Sequence, residues 1–157
     1  VKLVDTDDTV LVVTGIDVPA EMNDRPLAYR LKAEIDRRGQ GKAFRGALVV
    51  SDAWFAQNRI FHLCPVVAIG GPGVNALAAG LVNELPMLVK RDDRVFVQGE
   101  WDGEEKRASL WGMDRTATAE AVRLFLEEGH CDAFLRRAWR LPADAAAPAP
   151  DARRPEG

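Results

Sequence analysis

Three features of this 157-residue chain predict a three-layer α/β sandwich with a mostly parallel central sheet and an antiparallel hairpin extension. The runs Val10-Leu11-Val12-Val13, Ala47-Leu48-Val49-Val50 and Val66-Val67-Ala68-Ile69 are continuously apolar, as strands buried on both faces require. Segments with helical apolar spacing separate these runs. The stretch Gly70-Gly71-Pro72-Gly73-Val74-Asn75 then reads as a tight turn between a strand and a helix start. Strands alternating with helices favour parallel pairing, with helices on both faces of the sheet.

In chain order, Val10 to Val13 ends at Thr14-Gly15 as the first strand. Pro26 suits a first helical turn, and Leu27, Leu31 and Ile35 recur every four residues until Gly39 and Gly41 stop the pattern. The second strand closes at Ser51-Asp52, followed by a short helical turn carrying Trp54 and Phe55. After the third strand, Val74, Leu77, Ala78, Leu81, Val82 and Leu85 define one helical face, which Pro86 ends. Met87-Leu88-Val89 is the fourth strand, before the polar break Lys90 to Asp93.

The texture then changes to alternation. Val95 and Val97, then Ala108 and Leu110, flank the turn signal Asp102-Gly103 and predict a hairpin. Asp114 to Thr116 supply caps for a helix carrying Ala121, Val122, Phe125 and Leu126, stopped by Gly129. A last helix carries Phe134, Leu135, Ala138 and Trp139. This order makes residues 1–141 one Rossmann-like domain and residues 142–157 an Ala/Pro-rich disordered tail.

Composition excludes several classes of function. An apolar fraction of 47% with 29% charged residues is that of an ordinary globular protein. The net charge of -3 gives no long-range pull toward nucleic acid or anionic lipid, and no segment reaches the length of a membrane span. Arg136, Arg137 and Arg140 read as a solvated helical face or a partner patch. Two cysteines make no disulfide scaffold, so reduced thiols and a cytoplasmic location are expected, with an extracellular surface left open. An uncovered sheet edge or the Trp54-Phe55 patch would support a homo-oligomer.

The ligand site is expected at the glycine turn, with Gly70, Gly71, Gly73, Val74 and Asn75 as its binding residues. Small residues there let a phosphate approach the backbone, where unpaired amides and the helix dipole receive its charge. Gly71-x-Gly73-x-x-Ala76 also has the spacing of a dinucleotide turn, with Asp92 near the place of a ribose-binding acid. Asp17, Asp52 and Asn75 each follow a predicted strand end, so parallel neighbours would bring them to one rim. From there Asp52 and Asp17 are the candidate catalytic carboxylates, able to hold Mg²⁺ or divide acid and base roles. Each equally fits a helix or turn cap.

No other constellation competes. His62-x-Cys64 and His130-Cys131 lack the spacing of paired zinc ligands, so no metal site is expected, and no cofactor is named by the sequence. Gly-x-Ser-x-Gly is absent around Ser51. Trp101 and Trp111 flank the hairpin turn and fit cross-strand packing or a flat ligand, while nearby acidic residues disfavour single-stranded nucleic acid.

Gly70 to Asn75, together with the later segment Leu110-Trp111-Gly112-Met113-Asp114-Arg115-Thr116-Ala117-Thr118-Ala119-Glu120-Ala121-Val122, resembles a pairing in uncharacterised α/β domains of prokaryotic surface-layer-type proteins. The resemblance covers about a third of the chain. It implies a Rossmann-like scaffold without known chemistry, on which Thr116, Thr118 and Gly73 serve as conformational and capping devices. Three readings therefore stand. The protein binds a small phosphorylated or nucleotide-like anion, it is a hydrolase or transferase using Asp52, or it is a noncatalytic structural or interaction module.

Overall fold

The computed structural model describes residues 4–142, so most of the predicted tail lies outside the described residues. Six strands form one sheet in the order β2-β1-β3-β6-β5-β4. They are β1 (Val10–Thr14), β2 (Ala47–Ser51), β3 (Val66–Ile69), β4 (Met87–Arg91), β5 (Val95–Glu100) and β6 (Arg107–Gly112). Strands β2, β1, β3 and β6 pair in parallel, and β5 and β4 extend the sheet antiparallel. The Rossmann-like three-layer architecture is therefore present.

The register explains the continuous apolar runs. Val10 and Val12 face one layer and Leu11 and Val13 the other, so both parities of β1 are buried. The first layer holds α1 (Arg25–Arg38), α4 (Arg115–Glu127) and α5 (His130–Ala138). Its core joins Leu31 and Ile35 to Phe125, Phe134 and Trp139, and Trp101 packs edge-on against both phenylalanines. The second layer holds α2 (Asp52–Gln57), a 3-10 turn (Arg59–Leu63) and α3 (Ala76–Leu81). There Phe55 and Cys64 cover Leu11 and Val13, while Ala78, Leu81 and Leu85 cover Ala68.

Three local differences from the sequence expectations have physical causes. A π-helical turn at Ala20–Asp24 precedes α1, so the chain is already helical before Pro26. Helix α3 stops at Leu81 although its apolar pattern runs on to Leu85. The Gln98 amide donates to the carbonyls of Val82 and Leu85, fixing that last segment as a turn beneath the sheet. Finally, the polar break at Lys90 to Asp93 is itself a hairpin turn: Asp92 and Asp93 both adopt positive φ, 56° and 53°, and turn β4 into β5.

The β4 placement removes the dinucleotide reading. Strand β4 lies at the sheet edge, separated from β3 by β6 and β5. Three strand spacings, about 14 Å, keep Asp92 out of reach of a ribose held at the glycine turn. The tryptophans of the predicted hairpin go to opposite faces: Trp101 enters the first core, while Trp111 stacks on Phe96 with ring centroids 4.2 Å apart.

Candidate functional site

After β1 the chain enters the first layer through α1 and returns to β2. After β3 it enters the second layer through α3. The loops leaving β1 and β3 therefore diverge to opposite faces between adjacent parallel strands, the position where open α/β sheets leave a crevice.

A cleft of about 350 Å³ opens there. Its walls are Ala20, Asn23 and Asp24 from the π-helical turn, Gly71 to Val74 after β3, and Trp111 to Arg115 from the end of β6 to the start of α4. A cavity of about 390 Å³ on the second-layer face, near Phe55, Leu77 and Glu84, lies away from these loops. On its charged rim Arg107 pairs with Glu84 and Glu105 at 2.8 and 3.1 Å.

Of the three residues expected at one rim, Asp52 and Asn75 meet at the start of α3 as structural struts, while Asp17 lies apart on the π-helical turn. Asn75 is 1% exposed and its amide donates to the carbonyls of Val13 and Ile69, locking the ends of β1 and β3 together. Its Oδ1 accepts from the amides of Leu77 and Ala78. Asp52 Oδ2 accepts from the Ala76 amide at 2.7 Å. The first three amides of α3, which an anion would need, are thus already bonded, and the Asp52 carboxylate sits where the anion's charge would go. Asp17 is exposed and caps the π-helical turn, its Oδ1 accepting from the Ala20 amide at 2.9 Å.

The glycines of the turn differ in what fixes them. Gly70 has φ +107°, and a Cβ there would stand 2.6 Å from Asp24 Oδ2, so the fold itself demands glycine. Gly15 is demanded likewise, because a Cβ would meet the Val74 carbonyl oxygen at 1.8 Å. Gly71 lies against Trp111, with 3.3 Å between a built Cβ and Cε3 of the indole ring. Gly73 is exposed at the cleft, its φ needs no glycine, and a Cβ there would meet nothing within 4 Å. Val74 supports the turn, its amide donating to the Gly71 carbonyl at 3.1 Å.

Several polar groups of the cleft remain unspent. Among the described residues, the amides of Gly71 and Gly73 have no acceptor, and Arg115 forms no ion pair or side-chain hydrogen bond. Arg115 opens α4, whose N-cap Asp114 accepts from the Ala117 amide at 2.8 Å and leaves the first two amides of the helix unoccupied by a cap. Asp114 is itself neutralised by Arg94. Thr118 ties the end of β6 to α4, its Oγ1 accepting from the Gly112 amide at 3.1 Å.

Asp24 is the site residue that the sequence left unmarked. It is 6% exposed and receives no hydrogen bond from any described residue, yet it lines the cleft. Burial pushes its carboxyl up to about 6, and the neighbouring Asp17 carboxylate adds to the rise. A signal existed in the spacing. Asp24, Ala28, Leu31 and Ile35 fall on one helical stripe, all buried, so an acid sits in register with the core face.

No protein-family model and no curated protein matches the chain. Among the described residues no three His, Cys, Asp or Glu side chains converge as a metal site would need. His62 Nε2 instead lies 2.8 Å from the Phe55 carbonyl oxygen. Cys64 and Cys131 are buried free thiols, pushed up to about 11 and about 12, chiefly by burial. Two of the three late arginines are spent on ion pairs, Arg137 with Asp102 and Arg140 with Asp8. No helix of the described residues is long and apolar enough to cross a membrane.

Proposed function

We propose that this protein binds a small anionic, phosphorylated ligand in the cleft at the C-terminal ends of β1, β3 and β6. The anion is taken by the Gly73 amide, the Arg115 guanidinium and the first turn of α4, with Gly71 giving the backbone close access. This keeps the ligand at the glycine turn but moves its charge from the occupied start of α3 to the free start of α4. The supporting observation is the convergence of unspent donors: Arg115 and two turn amides without acceptors line one cleft of about 350 Å³. Recognition needs no metal ligand or nucleophile, and Asp52 is engaged as a cap, so binding accounts for this geometry more directly than hydrolysis or group transfer does.

The test is isothermal titration calorimetry with inorganic phosphate, simple phosphate esters and nucleoside monophosphates, on the native protein and on Arg115→Glu and Gly73→Val. Saturable binding that weakens at least about tenfold in each folded variant supports the reading, as expected for loss of a charge-assisted contact or for a filled cleft mouth. Binding unchanged by both substitutions would refute the placement. Absence of binding to every anion would favour a structural or protein-interaction module.

A further inference from the structure

Asp24 has no structural role that accounts for its burial. It precedes α1 but makes no capping bond with its side chain, and no described residue donates to its carboxylate. A carboxylate that is 6% exposed and bonded to no described residue costs stability unless water or a ligand in the cleft completes it. Gly70 is held clear of Asp24 Oδ2 by lacking a Cβ, and the same carboxylate borders the cleft shared with Gly71, Gly73 and Arg115.

Resting on the anion-binding reading above, we infer that Asp24 accepts a hydrogen bond from a hydroxyl of the ligand, so that the cleft selects hydroxylated phosphate esters over phosphate alone or alkyl phosphates. A hydroxyl fits this carboxyl better than an ammonium group does. It brings no second charge into a buried position, whereas an ammonium would share the cleft with Arg115 and the positive end of α4. A hydroxyl also pairs with either protonation state, donating to the carboxylate or accepting from the acid. The buried acceptor penalises any ligand that lacks the donor, because such a ligand strips the water from Asp24 and returns no bond.

The experiment is calorimetric titration of the full chain with glycerol 3-phosphate, n-propyl phosphate and phosphoethanolamine, for the native protein, Asp24→Asn and Asp24→Leu. The native protein is expected to bind glycerol 3-phosphate about tenfold or more tightly than n-propyl phosphate, the range of a hydrogen bond to a charged acceptor. In Asp24→Leu that preference falls to about twofold or less while n-propyl phosphate binding is retained. Asp24→Asn, which keeps one acceptor and mimics the neutral acid in shape, retains an intermediate preference and serves if the leucine variant does not fold. Equal binding of the two esters by the native protein overturns the inference. So does a preference that survives in Asp24→Leu, or stronger binding of phosphoethanolamine than of glycerol 3-phosphate. Failure of all three esters to bind refutes the anion-binding reading itself, and an intact anion site without hydroxyl preference refutes only the role of Asp24.

Discussion

Replacing Asp24 by asparagine is expected to stabilise the unliganded protein at neutral pH and to leave it unchanged in acid. In the unfolded chain the carboxyl titrates at its ordinary value of 3.8, and in the folded protein at about 6. The folded state therefore holds the proton more tightly, and stability falls as pH rises from about 4 to about 6. Carried to completion, this displacement corresponds to about 3 kcal/mol. Water entering the cleft screens part of the penalty, so about 1–2 kcal/mol is expected to appear. Asparagine has the shape of the protonated acid and lacks the charge. At pH 7 Asp24→Asn should gain that 1–2 kcal/mol, or about 3–6 °C in Tm for a domain of this size, and near pH 4 the gain should vanish. Urea denaturation of both proteins at pH 4, 5, 6 and 7 measures the difference directly, since titrations shared by the two cancel. A variant less stable than the native protein at pH 7, or a gain independent of pH, would refute the assignment of Asp24 as an unpaired buried acid.

Asn75→Ala removes two bonds to strand-end carbonyls and the cap of α3, and should cost about 2–4 kcal/mol in urea denaturation; a loss under 1 kcal/mol would contradict its role as a strut. Gly15→Ala drives a Cβ to 1.8 Å from the Val74 carbonyl oxygen and should cost more than about 3 kcal/mol or prevent folding. Gly73→Ala, by contrast, enters open space and should stay within about 0.5 kcal/mol of the native protein by thermal melting followed by circular dichroism. Cys64 and Cys131, buried and pushed up to about 11 and about 12, should react with a thiol reagent at pH 8 at least about 100-fold more slowly in native buffer than in urea. Rapid native labelling would show that the packing around them opens easily.

The fold was largely legible because its signals are local. Val10 to Val13, Ala47 to Val50 and Val66 to Ile69 each become strands within one residue of the predicted ends, since unbroken apolar runs of that length have nowhere to go but a sheet covered on both faces. Illegible features depend on distant partners. Nothing between Val74 and Leu85 foretells that Gln98 will capture the carbonyls at the end of α3. The Asp92-Asp93 turn was hidden because two aspartates adopt the positive φ for which glycine or asparagine is the usual signal.

At the site the same contrast decides which residues are free to act. Asp52 and Asn75 were conspicuous because they follow strands, yet that position also places them where a helix start needs acceptors. Asp52 reaches the Ala76 amide from 24 residues away, a contact that no local pattern encodes. Asp24 was inconspicuous because it precedes Pro26 in what reads as a loop; once the chain is helical ahead of α1, ordinary helical spacing puts it in line with Ala28, Leu31 and Ile35. Residue type and strand-end position therefore locate the rim of an α/β sheet without separating its caps from its ligand groups. Asp17, Asp52 and Asn75 have protein partners, whereas Asp24, Arg115 and the Gly71 and Gly73 amides have none among the described residues. An exposed cation without a partner costs nothing, so Arg115 alone would carry little weight. A buried carboxylate does carry a cost, and Asp24 borders the same cleft as that cation and those amides, which is why the proposed hydroxyl contact rests on Asp24 and not on Arg115.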